Sequence, residues 1–151
     1  MPAGKQDHSA IDPNRLIGLY GTLRDPNVRH SLGLAGRLRR LGRFRLAGIL
    51  YDLGPYPALG PGKGLVHGEL YEIVDSGAIA VMDAFEEFDP KRPKVSPYLR
   101  ERWRLLSPDV ECWVYRYNRP TRGVPRVFGG DWLARRKLRT PWTPERPFGD
   151  D

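Results

Sequence analysis

The chain has 151 residues, the length of one ordinary domain, and 40% of them are hydrophobic while 28% are charged. This composition excludes a wholly disordered chain, and no apolar run approaches the roughly 18 residues of a membrane-spanning helix. The formal net charge of +7, carried mostly by arginines, is compatible with nucleic acid or an anionic small molecule as a partner.

The start of the chain predicts a cytoplasmic protein, and its single cysteine argues against a disulfide or a zinc site. Residues 1–15 are polar and lack the apolar central stretch of a secretory signal. The single cysteine, Cys112, has no partner for an internal disulfide, and the chain lacks the ligand spacing of a structural zinc site. We therefore expect the fold to form without a disulfide or a metal.

Three elements are predicted in the first part of the chain: a buried strand over 16–20, a helix over 26–35 and a strand over 44–53. Asp25 and Pro26 support the helix, because they suit its N-cap and its first position. The glycine-rich cluster at 60–64 predicts a hairpin turn rather than an anion-binding nest.

Five further elements follow: a strand over 65–74, a helix over 76–88, strands over 98–106 and 110–117 that form a hairpin, and a short helix capped by Asp131. Prolines and cations make 89–97 a stiff, solvated connector suited to act as a flap. Because helices interrupt the strands irregularly, we predict an α+β domain with a curled, mostly antiparallel sheet rather than a doubly wound one. We expect a flexible segment over 1–15, one domain over 16–140 and a loosely held, proline-rich tail over 141–151.

The helix predicted over 76–88 places one carboxylate on its apolar side. At 100° per residue, Glu86 falls between Met82 and Ile79 on the helical wheel. Glu87 falls on the opposite side and faces outward. Glu86 is therefore a candidate proton carrier.

Two interpretations of Glu86 are open at this point. In the first, the carboxylate pairs with an arginine such as Arg100, as most inward carboxylates do. In the second, its surroundings raise its pKa, so that it can exchange protons near neutral pH. Asp83 lies one turn earlier on the same surface of the helix, and Arg100 is also a candidate partner for Asp83.

A loop after the first strand is the second candidate feature. In Tyr20-Gly21-Thr22-Leu23 a buried strand breaks into a glycine turn, and Arg24 follows. Exposed backbone N–H groups beside a cation would suit a carboxylate or an oxyanion. An ordinary turn after a strand explains the same residues.

Six pieces of the chain, taken in order, resemble the gamma-glutamylcyclotransferase-like family, in particular its gamma-glutamylamine cyclotransferase branch. They span residues 16 to about 133. The pieces are Tyr20-Gly21-Thr22-Leu23, Tyr56-Pro57-Ala58, Val66-x-Gly68-Glu69-Leu70-Tyr71, Asp83-x-x-Glu86, Tyr98-x-Arg100 and Gly129-Gly130-Asp131-Trp132.

The resemblance implies a small, mostly antiparallel six-stranded β-barrel flanked by short helices. It also implies a reaction in which the α-amine of a γ-glutamyl compound attacks its own γ-carbonyl. That reaction releases 5-oxoproline and a free amine or amino acid, and it needs neither cofactor nor metal. The Asp-x-x-Glu spacing makes Glu86 the catalytic residue.

The resemblance, together with the chemistry of the loop, gives a set of substrate-binding candidates: Tyr20, Gly21, Thr22, Leu23, Arg24 and Tyr98. The backbone N–H groups of the loop would hold the substrate's α-carboxylate or the developing oxyanion. Arg24 would add a charged contact, unless it is a solvated loop residue. Tyr98 would hydrogen-bond the glutamyl group, unless it belongs to the core. The chain departs from the family pattern at Glu87, where the family usually has glycine.

Two other functions are open from sequence alone. One is nucleic-acid binding, suggested by the arginine-rich stretch over 37–45, although alternating arginines are also typical of the wet face of a strand. The other is a non-catalytic binding member of the family, against which the inward Glu86 argues. We expect a small γ-glutamyl compound as the partner and no membrane; the leaving amine and the oligomeric state stay open.

Overall fold

The computed structural model describes residues 8–138, with backbone alone for 136–138. The predicted tail over 141–151 and the first seven residues of the predicted flexible segment lie outside the described residues. The strands are β1 (Leu16–Leu19), β2 (Leu38–Asp52), β3 (Pro57–Ile73), β4 (Tyr98–Arg104) and β5 (Glu111–Tyr117). The helices are α1 (Pro26–Ser31), α2 (Gly77–Phe85) and α3 (Trp132–Leu138), with short 3-10 turns at Pro13–Arg15, Thr22–Arg24 and Pro93–Val95.

The five strands form one mixed sheet in the order β2-β3-β1-β5-β4. Neighbouring strands are antiparallel except β1 and β5, which run parallel. The predicted α+β class is therefore confirmed. The six-stranded barrel is not, because no ladder joins the two edge strands and the sheet is not closed. Arg45 of β2 forms one isolated bridge to Ser107, and the next residue, Pro108, has no N–H with which to continue a ladder.

β2 and β3 form a long antiparallel hairpin whose turn lies at 53–56. The turn predicted over 60–64 is wrong, because these residues belong to β3 and lie at an irregularity in its pairing with β2. A Cβ on Gly64 would lie 2.5 Å from the carbonyl oxygen of Gly48. Close approach of the two strands, rather than a turn, accounts for this glycine.

Two arginines in the middle of β2 lie on the exposed face of the strand. Arg43 and Arg45 are exposed, whereas Phe44, which lies between them, and Leu46, which follows them, are buried. This is the alternation of a half-buried strand. It is the exposed strand face that the sequence offered as one explanation of these arginines.

Apolar clusters pack on both faces of the sheet. Leu16 and Ile17 are adjacent in β1, so they point to opposite faces, and they belong to different clusters. Trp132 of α3 packs in the cluster of Leu16, and Met82 of α2 packs in the cluster of Ile17. This packing holds the end of α2 close to the end of β1. No helix within 8–138 is long and apolar enough to cross a membrane.

Candidate active site

An open cavity lies where β1 ends beside the C-terminus of α2. Its empty volume is about 550 Å³, which includes open solvent at its mouth. The described residues that line it are Gly18, Leu19, Tyr20, Gly21, Thr22, Leu23, Tyr56, Pro57, Phe85, Glu86, Glu87, Tyr98 and Tyr115. The cavity thus brings together all the predicted site residues except Arg24.

The loop after β1 forms a 3-10 turn over Thr22–Arg24, with Gly21 before it. The turn is closed by hydrogen bonds from the N–H of Arg24 to the carbonyl of Gly21, 3.0 Å, and from Asp25 to Thr22, 3.0 Å. The N–H groups of Thr22 and Leu23 begin the turn and have no acceptor within it. They are therefore free to bind an anionic group of a ligand at the cavity wall.

Gly21 is required by its contact with Pro57. A Cβ at position 21 would lie 2.9 Å from Cγ of Pro57, closer than carbon atoms normally approach. The carbonyl of Pro57 in turn accepts a 2.7 Å hydrogen bond from the hydroxyl of Tyr98. The start of β3 and Tyr98 thus fix one wall of the cavity around the loop.

Three tyrosine hydroxyls are held by hydrogen bonds around the cavity. Tyr20 donates to the carbonyl of Tyr115, and the Tyr115 hydroxyl donates to Asp83 over 2.7 Å. Burial raises the pKa of Tyr20, Tyr98 and Tyr115 well above the ordinary value. All three phenols are neutral at physiological pH, and they wall the cavity as rigid hydrogen-bonding groups.

Glu86 is the first residue after α2, and its N–H still bonds to the carbonyl of Met82 at 2.9 Å. Its carboxyl makes no hydrogen bond or ion pair with any group in the described part of the chain. The residue is partly exposed, yet desolvation of its carboxyl raises the pKa of Glu86 to about 8, with the charges of Asp83 and Glu87 acting in the same direction. This side chain can release and accept a proton near neutral pH.

Arg100 is committed to Asp83 rather than to Glu86. Its Nε lies 2.9 Å from one carboxylate oxygen of Asp83, and both side chains are largely buried. The pairing of Glu86 with Arg100 considered from sequence is therefore wrong, and the alternative pairing of Arg100 with Asp83 is confirmed. Asp83 receives a second hydrogen bond from Arg100 and a third from the hydroxyl of Tyr115, so its charge is well compensated.

Glu87 occupies a left-handed position at the end of α2, with φ of 57°. Its N–H donates to the carbonyl of Ala84 over 3.1 Å, and the N–H of Phe88 donates to the carbonyl of Asp83 over 2.8 Å. This pair of bonds is the Schellman motif, whose left-handed residue is usually glycine. The motif ends the helix at Phe85, three residues before the predicted end, and turns Glu87 onto the cavity lining.

Arg24 does not line the cavity. Its guanidinium is buried and pairs with Glu69 of β3 and, at 2.9 Å, with Asp131. Asp131 also accepts from the N–H of Leu133 at the start of α3, as predicted for its cap. The sequence offered two roles for Arg24, a substrate contact and a solvated loop residue. The structure places Arg24 neither at the cavity nor in solvent, and its ion pairs tie the loop to β3 and α3.

Tyr115 is the site residue that sequence reasoning missed. It pairs in register with Arg100 across β4 and β5, so both side chains lie on one face and reach Asp83. The hairpin was predicted, but without the exact turn its register was not defined, and a shift of one residue reverses the face of every side chain.

Comparison with known proteins decides the family. A family model described as "Gamma-glutamyl cyclotransferase, AIG2-like" matches residues 18–134. The chain belongs to this family. Its relatives include the gamma-glutamylcyclotransferase family protein YtfP of Escherichia coli strain K12, 36% identical over 122 residues, which cover 80% of this chain and 98% of that protein. The namesake protein of Citrobacter rodentium is 38% identical over 120 residues, 79% of this chain and 96% of its own length.

The fold agrees with this membership. The solution NMR structure of ytfP from Escherichia coli is similar with a TM-score of 0.61 and 34% identity, over 80% of this chain and 97% of that one. The family match runs from β1 into α3 and so includes every residue that lines the cavity. The cavity of this cyclotransferase-family chain therefore lies within the residues that the family model matches.

Proposed function

We propose that the chain catalyses the γ-glutamylcyclotransferase reaction in this cavity, with Glu86 as its acid and base. The observation that carries the proposal is the Glu86 carboxyl, which lacks an ionic partner among residues 8–138 and lines the same cavity as the loop N–H groups. An inward carboxylate without a partner is costly for the fold, so its presence is better explained by chemistry than by packing.

The loop binds the glutamyl end of the substrate. The N–H groups of Gly21, Thr22 and Leu23 donate to the α-carboxylate or to the oxyanion that forms on the γ-carbonyl. Tyr20 and Tyr98 line the cavity, and hydrogen bonds to the carbonyls of Tyr115 and Pro57 hold their hydroxyls in place. Together these groups hold the glutamyl chain curled, with its amine close to its own γ-carbonyl.

Glu86 moves the protons of the reaction. The ionised carboxylate removes a proton from the α-ammonium, and the resulting amine attacks the γ-carbonyl carbon. The carbon–nitrogen bond to the leaving amine breaks, and the lactam ring of 5-oxoproline closes. Two protons pass in total from the attacking nitrogen to the leaving nitrogen, which departs as an ammonium ion. A pKa of about 8 suits both steps, since it lies near the operating pH.

The proposal is tested with a panel of γ-glutamyl compounds that includes amines, amino acids and an isopeptide. Formation of 5-oxoproline is followed by mass spectrometry at several protein concentrations. For at least one compound we expect 5-oxoproline to form at a rate proportional to protein concentration, and not to form after heat inactivation of the protein. Absence of 5-oxoproline from the whole panel would favour a non-catalytic member of the family.

A further inference from the structure

The lining of the cavity, within residues 8–138, contains acidic side chains and no basic ones. Among the described residues that line it, Glu86 and Glu87 are the acidic side chains, and no lysine, arginine or histidine is present. This holds although cations exceed acids in the whole chain, which has a formal net charge of +7. A ligand that extends past the uncharged loop and the neutral tyrosines therefore comes close to the carboxylate of Glu87.

Glu87 is the more exposed of the two carboxylates that line the cavity. It is exposed, whereas Glu86 beside it is partly buried. Its carboxylate makes no ion pair or hydrogen bond with the residues from 8 to 138, and its charge acts on Glu86 and also on Tyr98 across the cavity. The left-handed backbone of the Schellman motif fixes the point from which this side chain leaves the helix.

The cations of neighbouring segments do not offset this charge. Lys91, Arg92 and Lys94 of the following connector are exposed and do not line the cavity. Arg100 is engaged by Asp83, and Arg29 donates to the carbonyl of Leu23 over 2.8 Å. A carboxylate on the leaving group would find no cation at the cavity wall, whereas an ammonium would find Glu87.

We propose that Glu87 selects γ-glutamyl compounds whose leaving amine carries a second, distal positive charge. This inference rests on the proposed function. With the α-carboxylate at the loop and the reacting nitrogen at Glu86, the leaving group extends outward past Glu86, and the next side chain of the helix end is that of Glu87. The substrate class is a γ-glutamyl derivative of a diamine or longer polyamine.

Three γ-glutamyl amides of matched length isolate the effect of the distal charge. Their leaving amines are 1,4-diaminobutane, butylamine and 4-aminobutanoate, which end in an ammonium, a methyl and a carboxylate. We expect kcat/KM to be about three- to fivefold higher for the ammonium compound than for the methyl compound, as for an exposed charge pair. The carboxylate compound should be lowest, and the differences should shrink as salt is added.

The ratio of kcat/KM between the ammonium and carboxylate compounds should approach one in Glu87→Gln and reverse in Glu87→Lys. Because a change in the pKa of Glu86 affects all three compounds alike, the ratio reports on the leaving group alone. Asp109→Asn is the matched control, since it removes an exposed acid of the connection between β4 and β5 and should keep the wild-type ratio.

The outcomes separate this inference from the proposed function. Equal kcat/KM for the three compounds in the wild type, or an unchanged ratio in Glu87→Gln, would overturn the role of Glu87 and leave the cyclotransferase reaction standing. An unchanged ratio would instead fit an action of Glu87 on the α-ammonium that all three compounds share. Absence of 5-oxoproline from these three compounds while another member of the panel reacts would overturn the role of Glu87 alone, and absence from the whole panel would overturn both.

Discussion

The guanidinium of Arg100 lies 2.9 Å from a carboxylate oxygen of Asp83, one helical turn before Glu86. This pairing gives the nearest buried acid its counter-charge and leaves the Glu86 carboxyl without one among the described residues. Asp83 and Glu86 thus differ in their partners, although both are acids of the same helix end, and this difference supports the separate roles that we propose for them. Environment, rather than residue type, separates a structural carboxylate from a proton carrier.

The first prediction concerns pH. Because burial raises the pKa of Glu86 to about 8, the carboxyl is mostly protonated at pH 7 and the active carboxylate grows as the pH rises. The kcat/KM for a γ-glutamyl substrate should therefore increase through an acidic limb centred near pH 8. Initial rates of 5-oxoproline release across the pH range measure this limb. A rate that is flat above about pH 5.5 would place the pKa of the essential group at the ordinary value of a glutamate.

The second prediction concerns Asp83. Asp83→Asn leaves the largely buried guanidinium of Arg100 without its charged partner, so the free energy of unfolding should fall by about 2–4 kcal/mol. The same change removes a negative charge that raises the pKa of Glu86, so the acidic limb of kcat/KM should move to lower pH. Urea denaturation and the pH–rate profile give the two readouts.

Asp109→Asn is the comparison for this prediction. Asp109 pairs with Arg104 at 2.8 Å, but both side chains are exposed. Its substitution should change the free energy of unfolding by less than about 0.5 kcal/mol. An equal loss in both variants would mean that the burial of the Asp83 pair has no energetic consequence.

The third prediction concerns the left-handed residue at the end of α2. A non-glycine residue with φ of 57° is strained, and glycine at this position should stabilise the fold by about 1 kcal/mol. Glu87→Ala is the matched control, since it removes the same carboxylate and keeps the strain of a Cβ. Thermal denaturation should give Glu87→Gly a higher Tm than Glu87→Ala, and the reverse order would exclude strain at this residue. Both variants should shift the acidic limb downward, because each removes the same charge beside Glu86.

The sequence predicted those parts of the site that depend on local pattern. The helical period placed Glu86 on the side of the apolar residues, which pack on the sheet as the wheel predicts. The wheel does not describe Glu87, because the helix ends at Phe85 and Glu87 also lines the cavity. The loop at Tyr20–Leu23 was also predicted, since a strand that ends in glycine is visible in a few residues. These two features come from distant segments, and only the pairing of β1 with its neighbours brings them to one cavity.

The parts that failed depend on contacts distant in sequence. Residues 60–64 carry strong turn signals, yet pairing with β2 holds them in a strand. Arg24 follows the binding loop in sequence, but its partners Glu69 and Asp131 lie in other elements and draw it away from the cavity. Whether the two edge strands pair to close a barrel likewise depends on the whole sheet, so no local pattern of the sequence predicts it.

The most direct test of the account is the rate of 5-oxoproline release by Glu86→Gln. Glutamine matches the neutral acid in size, so the variant should fold, but it cannot exchange the protons of the reaction. With the best substrate of the panel, kcat/KM should fall at least ~100-fold, while Glu111→Gln, a substitution outside the cavity lining, should match the wild type. Wild-type activity in a folded Glu86→Gln variant would contradict the account.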